Sequence, residues 1–96
     1  MQREQAIELL SNSKPELQAR FGVLRLALFG STIRDEATIE SDVDILVGFD
    51  GPATSRRYFG VLFYLEDRFG CPVDLVSEKA LRAELKPNIE RELVYV

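Results

Sequence analysis

Residues 23–29, 43–49 and 73–76 are apolar runs of strand length, and a helical period over 55–69 separates the last two. Runs this short, interleaved with amphipathic helical segments, must share one sheet and have it covered by the helices. In the second run, β-branched Val43, Ile45 and Val47 alternate onto one face, and Asp50-Gly51-Pro52 supplies the turn that ends it. The helical period is carried by Tyr58, Leu62, Leu65 and Phe69 at i, i+4, i+7 and i+11, with Gly70 closing it. Phe59 and Phe63 lie beside that stripe and fit either core or interface.

The flanks read as further helices. Residues 2–11 place Ala6, Ile7, Leu9 and Leu10 on one broad face. Ser11-Asn12-Ser13 followed by Pro15 marks a break or a new N-cap, so a second helix carrying Leu17 and Phe21 is expected to stop at Gly22. A short helix is expected over 31–36. After the third strand, Ser77 can cap a helix to about Leu85, and Pro87 can start a last one through Leu93. The order α(α)βαβαβαα implies an α/β (α+β) layer structure, and 96 residues suit a single domain over 1–96.

Composition narrows the chemistry. The chain has no histidine, which removes Ser-His-Asp and Cys-His catalysis, His-ligated zinc and imidazole acid–base work. Catalysis must then run on carboxylates, hydroxyls, Lys, Arg and backbone amides. The one cysteine, Cys71, cannot form an internal disulfide and reads as a small hydrophobe in an apolar stretch. Net charge is −4 and Arg56-Arg57 is the only basic dyad, so a nucleic acid is not expected as the main substrate. No apolar run nears the roughly 20 residues that span a bilayer. Met1-Gln2-Arg3-Glu4-Gln5 is polar with no signal-peptide core behind it, so no membrane association and a cytoplasmic location are expected.

Two features between the first and second strands carry chemistry. Asp42-x-Asp44 leads into a strand, where side chains two apart point to the same face. Two such acids repel, and if both stay ionised a divalent cation is the simplest compensation; paired aspartates suit Mg²⁺ completed by water and phosphate. By itself the pair fits a solvated strand start, with Asp42 capping a turn, better than a metal site. Gly30-Ser31 sits at a strand-to-helix junction, where glycine admits close backbone approach and a helix N-terminus offers amides to phosphate. By itself it equally fits a left-handed turn with Ser31 as N-cap. A triphosphate with Mg²⁺ needs both features. Asp74 adds a third carboxylate in the middle of an apolar strand, where an unpaired buried charge is costly. It fits a two-metal site with Asp42 and Asp44, or an edge-strand charge that discourages aggregation.

Gly30-Ser31, ten intervening residues and then Asp42-x-Asp44 resembles the signature of the polymerase-beta-type nucleotidyltransferase superfamily. The surroundings, with Arg34, Ala37 and Ser41, are similar to its smallest members, the minimal nucleotidyltransferase (MNT) domains paired with HEPN toxins. Ile33, Asp35 and Ile39 depart from that pattern. The resemblance implies a small mixed sheet of three or four strands packed with helices. It implies that Gly30 and Ser31 hold the β and γ phosphates of ATP, that Asp42 and Asp44 bind two Mg²⁺ ions, and that Asp74 holds the catalytic metal and helps to deprotonate the acceptor hydroxyl. Arg34 would assist near the phosphates; from the residues alone it equally fits a surface charge paired with Glu36 or Asp35. The implied activity is that of an antitoxin moving AMP from ATP onto a tyrosine hydroxyl of a partner HEPN RNase, in a hetero-oligomer with that toxin. An acidic chain would suit a basic RNase, and an acceptor protein brings its own binding surface. The other readings are a binding-only antitoxin that covers its toxin and a transferase acting on a small-molecule hydroxyl.

Overall fold

The structure, a computed structural model, describes residues 2–30, 43–80 and 93–96. Its elements run α1 (Arg3–Phe21), β1 (Val23–Phe29), β2 (Val43–Phe49), α2 (Ser55–Phe69), β3 (Val73–Ser77) and β4 (Val94–Tyr95). The strands form one mixed sheet in the order β3-β2-β1-β4, with β1 antiparallel to β2 and β4, and β2 parallel to β3. The α/β class and the small mixed sheet of three or four strands expected above are what the chain adopts, with four strands among the described residues. No helix among the described residues is long and apolar enough to cross a membrane.

Alternation along the strands sorts the core onto two faces. Leu26 and Leu28 of β1, Val43, Ile45 and Val47 of β2, and Val73 and Leu75 of β3 face α1 and α2 and build the main core with Leu10, Leu17, Val61 and Leu65. Ala27, Phe29 and Leu46 face the other way, in a smaller cluster with Val76 and Leu93. Val23 and Leu26 are three apart, which in an unbroken strand would put them on opposite faces. A register shift between Val23 and Arg25 inserts one extra residue, and both reach the main core.

The N-terminal region departs from expectation. Where two helices and a break at residues 11–13 are expected, one helix runs from Arg3 to Phe21 with Pro15 inside it. Its buried residues, Ala6, Leu10, Ser13 and Leu17, are spaced 4, 3 and 4 apart, one continuous helical face that passes through the supposed break. The signal was hidden because one position on that face is a serine. Ser13 is tolerated there because its hydroxyl donates to the Leu9 carbonyl at 2.8 Å. Pro15 costs a helix interior about 3 kcal/mol. Burying Leu10 and Leu17 at about 1.5–3 kcal/mol each offsets that, and the carbonyl that Pro15 leaves without a donor belongs to exposed Ser11.

Helix α2 follows the expected stripe. Thr54 caps it, accepting from the Arg57 amide at 3.3 Å, and Gly70 ends it in the left-handed conformation. Gly60 lets α1 come close: a Cβ there would strike the Phe21 ring. Tyr64 donates to Glu16 across the same seam, and its ring lies beneath the guanidinium groups of Arg20 and Arg68. Phe59 and Phe63 stack on each other and stay exposed, so they are surface rather than core. Cys71 is half-buried against the main core.

The C-terminal end, expected to be helical through Leu93, closes with a strand, β4, that the sequence pattern does not announce. Its two residues pair with Ala27 and Leu28, and the Val96 amide donates to the Leu26 carbonyl at 3.0 Å. A two-residue strand has no period to read; its partner defines it. The helix after Ser77 does begin as expected, with the Ser77 hydroxyl accepting from the Ala80 amide at 3.3 Å. The expected helices over 31–36 and after Pro87 fall on residues outside those described.

Leu65 is fully buried between α2 and the sheet. Replacing it with alanine is expected to cost about 2–5 kcal/mol of stability, read as a lower urea midpoint at unchanged slope.

Candidate active site

Strand β2 pairs in parallel with β3 so that Asp44 stands opposite Asp74 and, on its other side, opposite Phe29 of β1. Residues opposite one another on neighbouring strands point to the same face. Val43, Ile45, Val73 and Leu75 fill the main core under the helices, so Asp44 and Asp74 emerge together on the opposite face. They sit at the end of the sheet where β1 finishes and β2 and β3 begin. Asp44 is half-buried and Asp74 exposed.

Gly30 closes this corner. It follows Phe29 at the end of β1 with φ +72°, a conformation that side chains beyond glycine rarely adopt. A Cβ built on it would overlap the Asp44 carboxylate. Two requirements therefore fall on one residue: the turn needs positive φ, and the carboxylate needs the space. The glycine thus brings main chain directly against an acid, an arrangement in which a ligand held by the carboxylate is also within reach of backbone.

Ser31, Arg34 and Asp42, the other expected site residues, lie outside the described residues. Among the described residues no three acidic, cysteine or histidine side chains group as a cation site; two of the three expected carboxylates, Asp44 and Asp74, stand side by side there. Two hard oxygen donors on adjacent strands, with glycine main chain beside them, fit a divalent cation such as Mg²⁺ that keeps water or phosphate in its remaining positions.

What lies on the outer side of Asp74 is barely legible in the sequence. Tyr58 reads there as one more core residue of α2, yet its hydroxyl reaches past the core and donates to the Leu75 carbonyl at 2.6 Å. Burial first, and then the charge of Asp74, holds that hydroxyl above its ordinary pKa, so at neutral pH it remains a donor. Glu66, one turn beyond Leu62, accepts from the Val73 amide at 3.1 Å. The only hint in the sequence is that a tyrosine at the end of a core stripe must satisfy its hydroxyl somewhere.

An open cleft of about 930 Å³ lies at the other end of the sheet, lined by Arg25, Gly48, Phe49, Pro52, Ser77 and Glu78 among others. Arg25 and Glu78 pair there at 2.7 Å, over a glycine, Gly48, whose missing side chain makes room for the glutamate. Neither Asp44 nor Asp74 lines it. Asp44 and Asp74 stand at the opposite end of the sheet from this cleft.

Comparison with known proteins finds relatives in both sequence and fold. The profile of the nucleotidyltransferase domain family matches residues 10–96. The protein adenylyltransferase MntA of Thermococcus cleftensis is 40% identical over 93 residues, covering 97% of this chain and 94% of the relative. A solved structure provisionally described as a minimal nucleotidyltransferase superposes with a TM-score of 0.79 at 34% identity, covering 98% of this chain and 95% of the other. A more distant one, of a tri-AMPylated Shewanella oneidensis HEPN toxin in complex with its MNT antitoxin, shares the fold at TM-score 0.60 and 19% identity, covering 97% of this chain and 66% of the other.

Gly30→Ala tests the corner directly. Forcing a Cβ into the left-handed conformation costs about 1–2 kcal/mol, and the Asp44 carboxylate must move besides. The expected result is a lower denaturation midpoint together with shifted side-chain carboxyl resonances for Asp44, while those of Asp50 stay in place.

Proposed function

Because the chain belongs to the nucleotidyltransferase domain family, we propose that it is a Mg²⁺-dependent protein adenylyltransferase that moves AMP from ATP to a tyrosine hydroxyl of a HEPN-type RNase partner, and so acts as the antitoxin of that pair. The observation that carries the reading is the register that sets Asp44 beside Asp74 on the face opposite α1 and α2, with Gly30 against Asp44. Family membership supports nucleotidyl transfer, and the adenylyltransferase relative supports AMP as the group moved. The fold shared with an antitoxin bound to its AMPylated HEPN toxin supports the choice of partner.

In this reading Asp42, Asp44 and Asp74 hold Mg²⁺, and Gly30, Ser31 and Arg34 hold the phosphates. Bound Mg²⁺ would neutralise phosphate charge and stabilise the entering and leaving oxygens. The chain's own part is placement. Asp44, fixed between β1 and β3, anchors the nucleotide end of the site. Gly30 contributes main chain at close range, where a side chain would displace both carboxylate and phosphate. Asp74, exposed at the sheet edge, is open to an incoming protein and takes the proton from the acceptor hydroxyl. The acceptor oxygen attacks the α-phosphorus in line. A new phosphorus–oxygen bond forms, the bond to the α–β bridging oxygen breaks, and pyrophosphate leaves.

The test is incubation with labelled ATP, Mg²⁺ and the product of the adjacent gene. The expected product is a partner whose mass rises in steps of one AMP, with label lost on chelation and regained with added Mg²⁺. Asp42→Ala and Asp44→Asn are each expected to cut transfer by roughly 10²–10³-fold, the scale of losing transition-state charge stabilisation, with an unchanged circular dichroism spectrum. Tight binding to the partner without labelling, or retained transfer in Asp42→Ala, would refute this assignment.

A further inference from the structure

Asp74 stands on an outer strand of the sheet, and each of the two residues that flank it has a backbone polar group held from outside by α2. The Val73 amide donates to Glu66 Oε2 at 3.1 Å, and the Leu75 carbonyl accepts from Tyr58 Oη at 2.6 Å. In an extended strand the polar groups of alternate residues point to opposite edges. Those of residues 73 and 75 therefore face α2, while those of residue 74 face β2. Pro72 agrees with this phase, since its carbonyl accepts from Val43 on the β2 side at 3.1 Å.

Residues 58, 62 and 66 stack at a spacing of four along one side of α2. Leu62 packs against the main core, so the polar ends of Tyr58 and Glu66 are carried to β3 by a helix that is itself anchored. Either bond alone would tie helix to sheet. Together they bracket a single residue. An edge strand is paired on one side only and is the part of a sheet most free to slip or twist. Either motion would carry the Asp74 carboxylate away from Asp44, and misplacement by about 1 Å can cost on the order of 10²-fold in rate.

We propose that Tyr58 and Glu66 are positioning residues for Asp74, clamping β3 on either side of it so that its carboxylate keeps register with that of Asp44. Neither touches substrate. The inference rests on the reading of Asp74 as a cation-binding carboxylate.

The test compares Tyr58→Phe and Glu66→Ala with two controls. Glu66→Gln removes the charge but keeps an oxygen for the Val73 amide. Tyr64→Phe removes a hydrogen bond between α1 and α2 that lies away from β3. Three quantities are read: amide hydrogen exchange, Mn²⁺ affinity by calorimetry without nucleotide, and kcat against KM for ATP. Tyr58→Phe and Glu66→Ala are expected to speed exchange over residues 73–77 but not 43–49. They should weaken Mn²⁺ binding several-fold and lower kcat by about ten-fold while KM for ATP stays within about two-fold. Glu66→Gln should behave as the unaltered protein, and Tyr64→Phe should change none of the three. Unchanged exchange in β3, or equal losses in Tyr64→Phe, overturns the clamp. Asp74→Asn reports on the premise separately: if it binds Mn²⁺ and transfers AMP at full rate, the role of Asp74 fails, whatever the exchange data show of β3.

Discussion

Parallel pairing of β2 with β3 does two things that could have conflicted. It aligns Val43 with Val73 and Ile45 with Leu75, so the apolar residues of both strands meet under the helices, and by the same register it aligns Asp44 with Asp74 on the opposite face. A slip of one residue would turn Asp74 into the core and expose Val73 and Leu75. The hydrophobic effect acting on one face thus fixes the charge geometry on the other. Two like charges at neighbouring positions would not choose this register by themselves. They are held in it by the side chains on either side of them in sequence.

The other elements act in support of that pairing. Helix α2 joins the two parallel strands and buries Val61, Leu65 and Phe69 against them. Helix α1 packs on β1 and α2, with Gly60 admitting the Phe21 ring and Tyr64 reaching Glu16. The short β4 pairs with the far side of β1, so β3 and β4 are the outer strands, and β3 turns one edge away from the sheet. That edge is where α2 places Tyr58 and Glu66. One acid of the pair is therefore held by strands on both sides, and the other by a strand and a helix. The difference matches their surroundings: Asp44 is half-buried beside Gly30, and Asp74 is open to solvent.

Much of this was legible in the chain, and the failures have physical causes. Strands β1, β2 and β3 and helix α2 were readable because each carries a mostly apolar run or stripe of the length its element needs. Helix α1 was read as two because Ser13 occupies a core position and Pro15 usually ends a helix; burial of Leu10 and Leu17 on one face outweighed both. Strand β4 was invisible because two residues have no periodicity, and only the open edge of β1 makes a strand of them. The turn at Gly30 was legible as a left-handed one, and its φ of +72° is of that kind. That the same glycine also yields space to Asp44 was not, since this depends on which strand lies next to β1.

By itself the sequence determined the composition of the site: carboxylates without histidine, a glycine at a strand end, and a strand pattern that puts Asp44 and Asp74 each opposite in facing to their apolar neighbours. These are local properties, set by the alternation of side chains and by what glycine alone can adopt. Only the tertiary structure decided that β2 and β3 are neighbours, parallel and in register, and that Tyr58 and Glu66 bracket Asp74. Both depend on contacts between residues far apart in the chain, where the optimum is chosen by how whole faces pack and no short window of sequence contains the partners.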